Sequence, residues 1–155
     1  MRKQRHEAST GAPLELQDFL CFSMYAANHA FNRVYQPLLK GLGLTYPQFI
    51  AMILLWKQDG QTVGELGHKL YLQSNTLTPM LKRLALLGLI TRSRDSADER
   101  QVRIRLTEAG RKMHLKADGI VQAVRQATGL KDKQMIELRD GVEALRKSLE
   151  NQDSR

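Results

Sequence analysis

The sequence predicts a mainly α protein with a small β-hairpin, and three observations predict it. Apolar residues return every three or four positions through most of the 155-residue chain, the period of an amphipathic helix. Two short runs, 89–94 and 102–106, break that pattern, and in the second Val102, Ile104 and Leu106 alternate with Arg103 and Arg105. Residues 62–107 therefore hold the order helix, turn, helix, strand, loop, strand. That order is a winged helix-turn-helix, a shape that lays its second helix in a DNA major groove.

The elements follow in order. Residues 1–13 are polar, with Gly11 and Pro13 near their end, and are expected to form a disordered arm. Leu14 to about Lys40 is a long helical pattern on Leu16, Phe19, Leu20, Ser23, Ala27, Ala30, Phe31, Val34 and Leu38. Pro37 should kink it or start a new turn, and Gly41 and Gly43 should end it. Thr45 and Gln48 have capping-box spacing, with Pro47 early enough to need no partner for its nitrogen. The helix they open, about Tyr46 to Lys57, is apolar nearly all round and should be buried, Trp56 included.

Asp59-Gly60 turns the chain, and Thr62 with Glu65 forms a second capping box. A turn at Tyr71-Leu72-Gln73 leads to a helix that Ser74 or Asn75 can cap. Leu77, Leu81, Leu84 and Leu87 form its inward stripe, and Gly88 should end it. After strands at 89–94 and 102–106, Thr107 can cap a helix of about Glu108 to Thr128, with Gly129 breaking it. A last helix, about Lys131 to Glu150, carries a stripe of Met135, Leu138, Val142, Leu145 and Leu149.

Composition narrows the function classes. Lys and Arg outnumber Asp and Glu by 24 to 16, a formal charge of +8 that suits a nucleic-acid partner. One cysteine excludes an internal disulfide. No apolar run has signal-peptide or membrane-spanning length, so a cytoplasmic protein with no membrane partner is expected. His68 and His114 lack metal-ligand spacing, and neither a metal nor a cofactor is expected.

The contacts to double-stranded DNA fall in two places. Ser74, Asn75, Thr76, Thr78 and Pro79 open the second motif helix, where short hydrogen bonders suit base edges and phosphates. Lys82 and Arg83 lie further along and suit phosphates. In the charged loop Asp95 to Gln101, Arg100 can enter a narrow minor groove, with Asp98 holding its guanidinium. Arg92, Arg94, Arg103 and Arg105 make the wing around it basic. The long first helix and the two last helices carry more apolar stripe than one small core needs. That excess predicts a homodimer, with 14–45 and 108–150 as dimerisation helices around a DNA-binding lobe at 46–107, all in one intertwined domain.

These residues resemble the MarR family of dimeric winged-helix repressors. DERQVRIRLT at 98–107 looks like that family's wing signature, with Asp98 and Arg100 at its paired positions. The chain further resembles the organic-hydroperoxide-sensing, OhrR-type branch, through LCFSMYAANHAFNRVY at 20–35, LTYPQFIAMILLW at 44–56 and LYLQSNTLTPMLKRL at 70–84. The resemblance covers about residues 14–150. It implies that Cys21 is a peroxidatic sensor and that Tyr25 and Tyr35 hydrogen-bond its sulfur at the dimer interface, with tyrosines supplied by the partner. It also implies a target gene encoding a thiol peroxidase. The lack of a second cysteine, with Ala123 and Ala127 in the region of the branch's resolving residue, places the chain in the one-cysteine class. That class needs organic hydroperoxide and a small cellular thiol as reactants. Gln73-Ser74-Asn75 departs from the branch's commoner Asp-Ser followed by a small residue, which bears on operator preference.

Spacing independently allows this arrangement. Tyr25 lies four residues from Cys21, on the same helix face. Tyr35 lies fourteen residues on, about 21 Å along a straight helix at ~1.5 Å per residue, within reach only of an antiparallel partner. The expected function is a homodimeric repressor on a pseudo-palindromic operator, released when Cys21 is oxidised. The alternative is a MarR-type repressor released by a reversible phenolic or drug-like ligand, with Cys21 incidental. An enzyme is not expected, because no resolving cysteine or evident acid–base partner accompanies Cys21 for turnover. A non-specific architectural DNA protein would not need the wing or the tyrosines.

Overall fold

The computed structural model describes residues 15–153. The arm expected over 1–13 lies outside the described residues, as does Leu14. A short 3-10 turn at Leu16–Asp18 precedes α1 (Leu20–Lys40), α2 (Tyr46–Lys57), α3 (Val63–Leu70), α4 (Ser74–Leu86), β1 (Ile90–Arg94), β2 (Val102–Leu106), α5 (Glu108–Ala127) and α6 (Asp132–Asp153). The mainly α chain with one two-stranded hairpin is as the sequence predicts.

The core forms around α2. Phe49, Met52 and Leu55 of that helix are fully buried, together with Leu66 of α3, Leu77, Leu81 and Leu84 of α4 and Ile104 of β2. α2 touches α1, α3, α4, α5 and β2, so almost no face of it is left for polar residues. Trp56 is half-buried against this core and donates its indole N–H to the Gly110 carbonyl at 2.8 Å. Leu87 does not join the inward stripe. It follows the last turn of α4 and is half exposed.

The helix starts are set locally. The main-chain N–H of Thr45 donates to Gln48 Oε1 at 2.9 Å. Glu65 N–H donates to Thr62 Oγ1 at 3.2 Å, while Thr62 N–H donates to Glu65 Oε2 at 2.7 Å, a reciprocal cap. Gly110 N–H donates to Thr107 Oγ1 at 3.0 Å. α1 starts at Leu20 rather than Leu14, because Phe19 is extended and separates it from the 3-10 turn. Pro37 does not start a new element. Only one turn of α1 follows it, and the helix continues to Lys40 with one N–H fewer.

β1 and β2 pair antiparallel, with Ile90 opposite Leu106, Arg92 opposite Ile104 and Arg94 opposite Val102. β1 begins at Ile90, one residue later than the alternation suggests, because Leu89 N–H closes the end of α4 on the Leu84 carbonyl. The loop before α3 adds a third edge. Ile104 N–H donates to the Gln61 carbonyl at 2.8 Å, and Thr62 bridges Arg103.

The outer helices contrast with this lobe. α1 buries only Leu39, and Leu16, Phe19, Leu20, Met24, Tyr25 and Phe31 in and before it are exposed. None of residues 132–152 of α6 is buried, and Ile136, Leu138, Val142 and Leu149 face solvent. Arg146 of α6 lies over the Tyr71 ring, 4.4 Å from its centre.

Two predictions test the lobe. A Cβ added at Gly110 would overlap the Leu89 carbonyl oxygen and lie 3.3 Å from Leu106 Cδ2. Helix propensity alone favours Gly110→Ala by about 1 kcal/mol. The packing reverses the sign, and the variant should lose roughly 1–3 kcal/mol in denaturant unfolding. Thr62→Ala should cost about 1 kcal/mol in the same measurement.

Candidate functional site

Two separate surfaces carry the residues of interest. The first is α4 with the hairpin tip. α3 closes on Tyr71, whose positive φ of 55° lets the chain reverse, and Leu72 N–H returns to the Gly67 carbonyl at 3.0 Å. A side chain at Gly67 would come within 2.9 Å of the Leu72 oxygen, so glycine keeps this turn tight.

Gln73 then sits extended as the residue preceding α4. Neither Ser74 nor Asn75 caps the helix. Both lie inside its first turn, Ser74 one and Asn75 two positions past the cap, too late to accept from its leading N–H groups. Their side chains are exposed, as are Thr76, Pro79, Lys82 and Arg83, while Thr78 is half-buried. Asn75, Pro79, Lys82 and Arg83 fall on the face opposite buried Leu77, Leu81 and Leu84, so α4 offers a polar and basic surface outward.

The hairpin tip is organised by two carboxylates. Asp95 Oδ1 accepts from the main-chain N–H groups of Ala97 at 2.8 Å and Asp98 at 3.3 Å. Those bonds, the Ala97 one foremost, and then the Arg103 guanidinium hold the Asp95 carboxyl below the usual carboxylate range. Asp98 Oδ1 accepts from the main-chain N–H of Arg100 at 3.1 Å, and its Oδ2 accepts from Gln101 Nε2 at 3.2 Å. Asp98 therefore fixes the backbone under Arg100, and no hydrogen bond or ion pair joins it to the Arg100 guanidinium. Among the described residues no carboxylate pairs with the Arg100 side chain, which is exposed.

The four arginines flanking this tip differ. Arg94 and Arg105 are exposed. Arg92 stands opposite buried Ile104, and its Nε is buried without a hydrogen-bond partner among the described residues. Arg103 does not add to a basic outer surface. It turns back to Asp95 and to the Gly60 carbonyl.

The second surface is the N-terminal half of α1. Cys21 is exposed and lines an open apolar groove with Leu16, Phe19, Phe22 and Tyr25. Tyr25 is one turn along, its ring 6.2 Å from Phe22 and edge-on to His29 at 4.3 Å. Tyr35 is not brought to Cys21 of its own chain, because α1 is unbroken between them. Its ring lies 4.7 Å from that of Tyr46 and 6.2 Å from Phe49. Burial raises the phenol pKa of both Tyr35 and Tyr46, and Tyr46 adds to the rise at Tyr35. The sequence reading missed Tyr46. It stands beside the Thr45 cap and was read only as the start of a helix.

Among the described residues no cluster of His, Cys, Asp or Glu is placed to hold a metal ion, and no helix is long and apolar enough to cross a membrane.

Comparison with known proteins gives a consistent picture. Residues 33–116 match the family model described as transcriptional regulator SarA/Rot. The chain is 44% identical over 137 residues to the HTH-type transcriptional regulator TtmR of Methylorubrum extorquens, covering 88% of this chain and 70% of that protein. It is 49% identical over 104 residues to the organic hydroperoxide resistance transcriptional regulator of Bacillus subtilis, covering 67% and 71%. Among solved structures, reduced AbfR bound to DNA superposes with a TM-score of 0.74 at 35% identity, covering 88% of this chain and 93% of that one. AbfR is a protein of Staphylococcus epidermidis.

The two phenols give a test. The folded chain keeps protons on Tyr35 and Tyr46 after the unfolded chain has lost them. Stability is therefore complete below the ordinary phenol value of 10.0 and falls as pH rises through the higher folded values. Unfolding followed against alkaline pH should show this loss, and Tyr35→Phe with Tyr46→Phe should flatten it.

Proposed function

The chain belongs to the MarR family of winged-helix transcriptional regulators, DNA-binding proteins with the Bacillus organic hydroperoxide resistance regulator among its relatives, and on that premise we propose that it is a homodimeric, cytoplasmic repressor that releases its operator when Cys21 is oxidised by an organic hydroperoxide. The observation that carries this reading is the setting of Cys21. It lies in an apolar groove beside Tyr25, on a helix face that the described residues leave exposed.

The uncovered faces of α1 and α6 are what a second copy would bury. An antiparallel pair of α1 helices would bring the partner's Tyr35 toward Cys21, and Tyr46 travels with Tyr35 because their rings pack together. Phenol O–H groups aimed at the sulfur favour thiolate over thiol, and the thiolate is the nucleophile. It attacks one peroxide oxygen. An S–O bond forms as the O–O bond breaks, and the leaving alkoxide takes a proton to become an alcohol. The resulting sulfenic acid reacts with a small thiol, forming a disulfide and releasing water. Leu16, Phe19 and Phe22 make the approach greasy, which favours organic over hydrogen peroxide. The added bulk displaces the pairing of α1, and the two α4 helices lose the spacing that a pseudo-palindromic operator requires.

On the DNA, Ser74, Asn75, Thr76, Thr78 and Pro79 face base edges and the nearby backbone, with Lys82, Arg83, Arg92 and Arg94 near phosphates. Arg100 enters the minor groove from a tip whose backbone Asp98 fixes.

Operator binding by wild type and Cys21→Ser, with and without cumene hydroperoxide plus a small thiol, tests the switch alongside intact mass. Wild type should gain the mass of the thiol less two hydrogens and dissociate, while Cys21→Ser stays bound. Release of both proteins, or of neither, would sink the redox reading and favour a reversible ligand. Arg100→Ala should weaken operator binding by roughly 5- to 100-fold and reduce its salt dependence.

A further inference from the structure

We propose that Asp95 and Arg103 form a clamp that positions the wing for DNA, and that Arg103 is a positioning residue rather than a phosphate contact. The inference rests on the reading that Arg100 of the wing meets DNA.

The geometry is that of a pinned lever. Arg103 lies on β2 opposite Ser93, at the root of the tip. Its guanidinium reaches in two directions. One side meets Asp95 Oδ2, through both Nε and Nη2, and the other donates to the Gly60 carbonyl. Asp95 is only 6% exposed, so its charge is compensated by Arg103 and by the N–H groups of Ala97 and Asp98. Those two N–H groups belong to the segment that leads to Arg100. Gly60 belongs to the loop between α2 and α3, where Gln61 is 1% exposed and bonded to the Leu54 and Gln58 carbonyls. The guanidinium thus connects the start of the tip to a loop that Gln61 bonds to the end of α2. Only a planar fork fills both roles at once.

A phosphate-binding arginine would be free to leave its chain, and this one is not. Its side chain is 32% exposed, but releasing it toward a phosphate would cost the Asp95 carboxylate its cationic partner and the Gly60 carbonyl its donor.

Charge and position make opposite predictions for Asp95→Asn. The substitution removes a negative charge and raises the formal +8 by one, which by electrostatics alone tightens DNA binding. The clamp predicts weaker binding, by about tenfold, on the scale of losing a wing arginine. Arg103→Lys keeps the charge and serves as well as Arg for a point contact to phosphate, yet it cannot span both partners and should also weaken binding.

The experiment measures operator affinity and its salt slope for wild type, Arg100→Ala, Asp95→Asn, Arg103→Lys and the Arg100→Ala/Arg103→Lys pair. Thermal unfolding and amide exchange over residues 95–101 are followed in parallel. The expected result is weaker binding by both clamp variants, faster exchange at the tip, and little further loss when Arg103→Lys is added to Arg100→Ala. If Arg100→Ala binds as wild type does, the wing reading fails and this assignment falls with it. If Arg100→Ala weakens binding while Asp95→Asn tightens it, or Arg103→Lys leaves it unchanged, the clamp alone is overturned. Should Asp95→Asn fail to fold, Arg103→Lys and its pair with Arg100→Ala decide the matter.

Discussion

The loop from Asp59 to Thr62 is the polar knot on which the lobe depends. Gln61 is buried and uses its amide to satisfy two carbonyls at the end of α2, while its oxygen accepts from Lys69 at 2.6 Å. Its main-chain carbonyl holds Ile104 of β2. Asp59 accepts from the N–H groups of Gly60 and Leu106 and pairs with Arg111 of α5 at 2.9 Å. Four residues therefore bind α2, α3, the hairpin and α5 to one another. A buried polar network of this kind is stabilising because its members satisfy each other, and breaking one bond leaves several groups unpaired. The apolar core around Phe49 and Leu77 supplies cohesion, and the knot sets register.

Much of this was legible in the sequence, and the reason is local. Thr62 with Glu65, and Thr107 ahead of Gly110, signal their helices through bonds that span three residues. The alternation of Val102, Ile104 and Leu106 reports a strand with one wet face. What failed was long-range or conditional. Ser74 and Asn75 have the right chemistry for a cap but stand one and two positions too far in, which only the extended backbone at Gln73 decides. Arg103 looks like any wing arginine until the fold brings the Gly60 carbonyl and Asp95 to it from 43 and 8 residues away. Leu87 continues a leucine stripe in sequence, and the helix ends before the stripe can use it.

The cysteine surface was legible in part. Four-residue spacing is enough to put Tyr25 beside Cys21, because a helix carries both. The packing of Tyr35 on Tyr46 joins α1 to α2 and follows from no periodicity. The same limit hid how little of α1 and α6 the chain buries. An apolar stripe states that a face will be covered and leaves open by what.

The unbroken α1 has one more consequence. It acts as a ruler that keeps Cys21 and Tyr35 about 21 Å apart at ~1.5 Å per residue within any single chain. On the proposed redox reading, a lone chain carries the two halves of a reaction site well apart on one rod and would join them only by meeting another copy. Under that reading the chemistry obeys mass action. Diluting the protein below the dissociation constant of that dimer would dismantle the site without unfolding anything, so the amount of protein in a cell would set its responsiveness as directly as any residue in the groove.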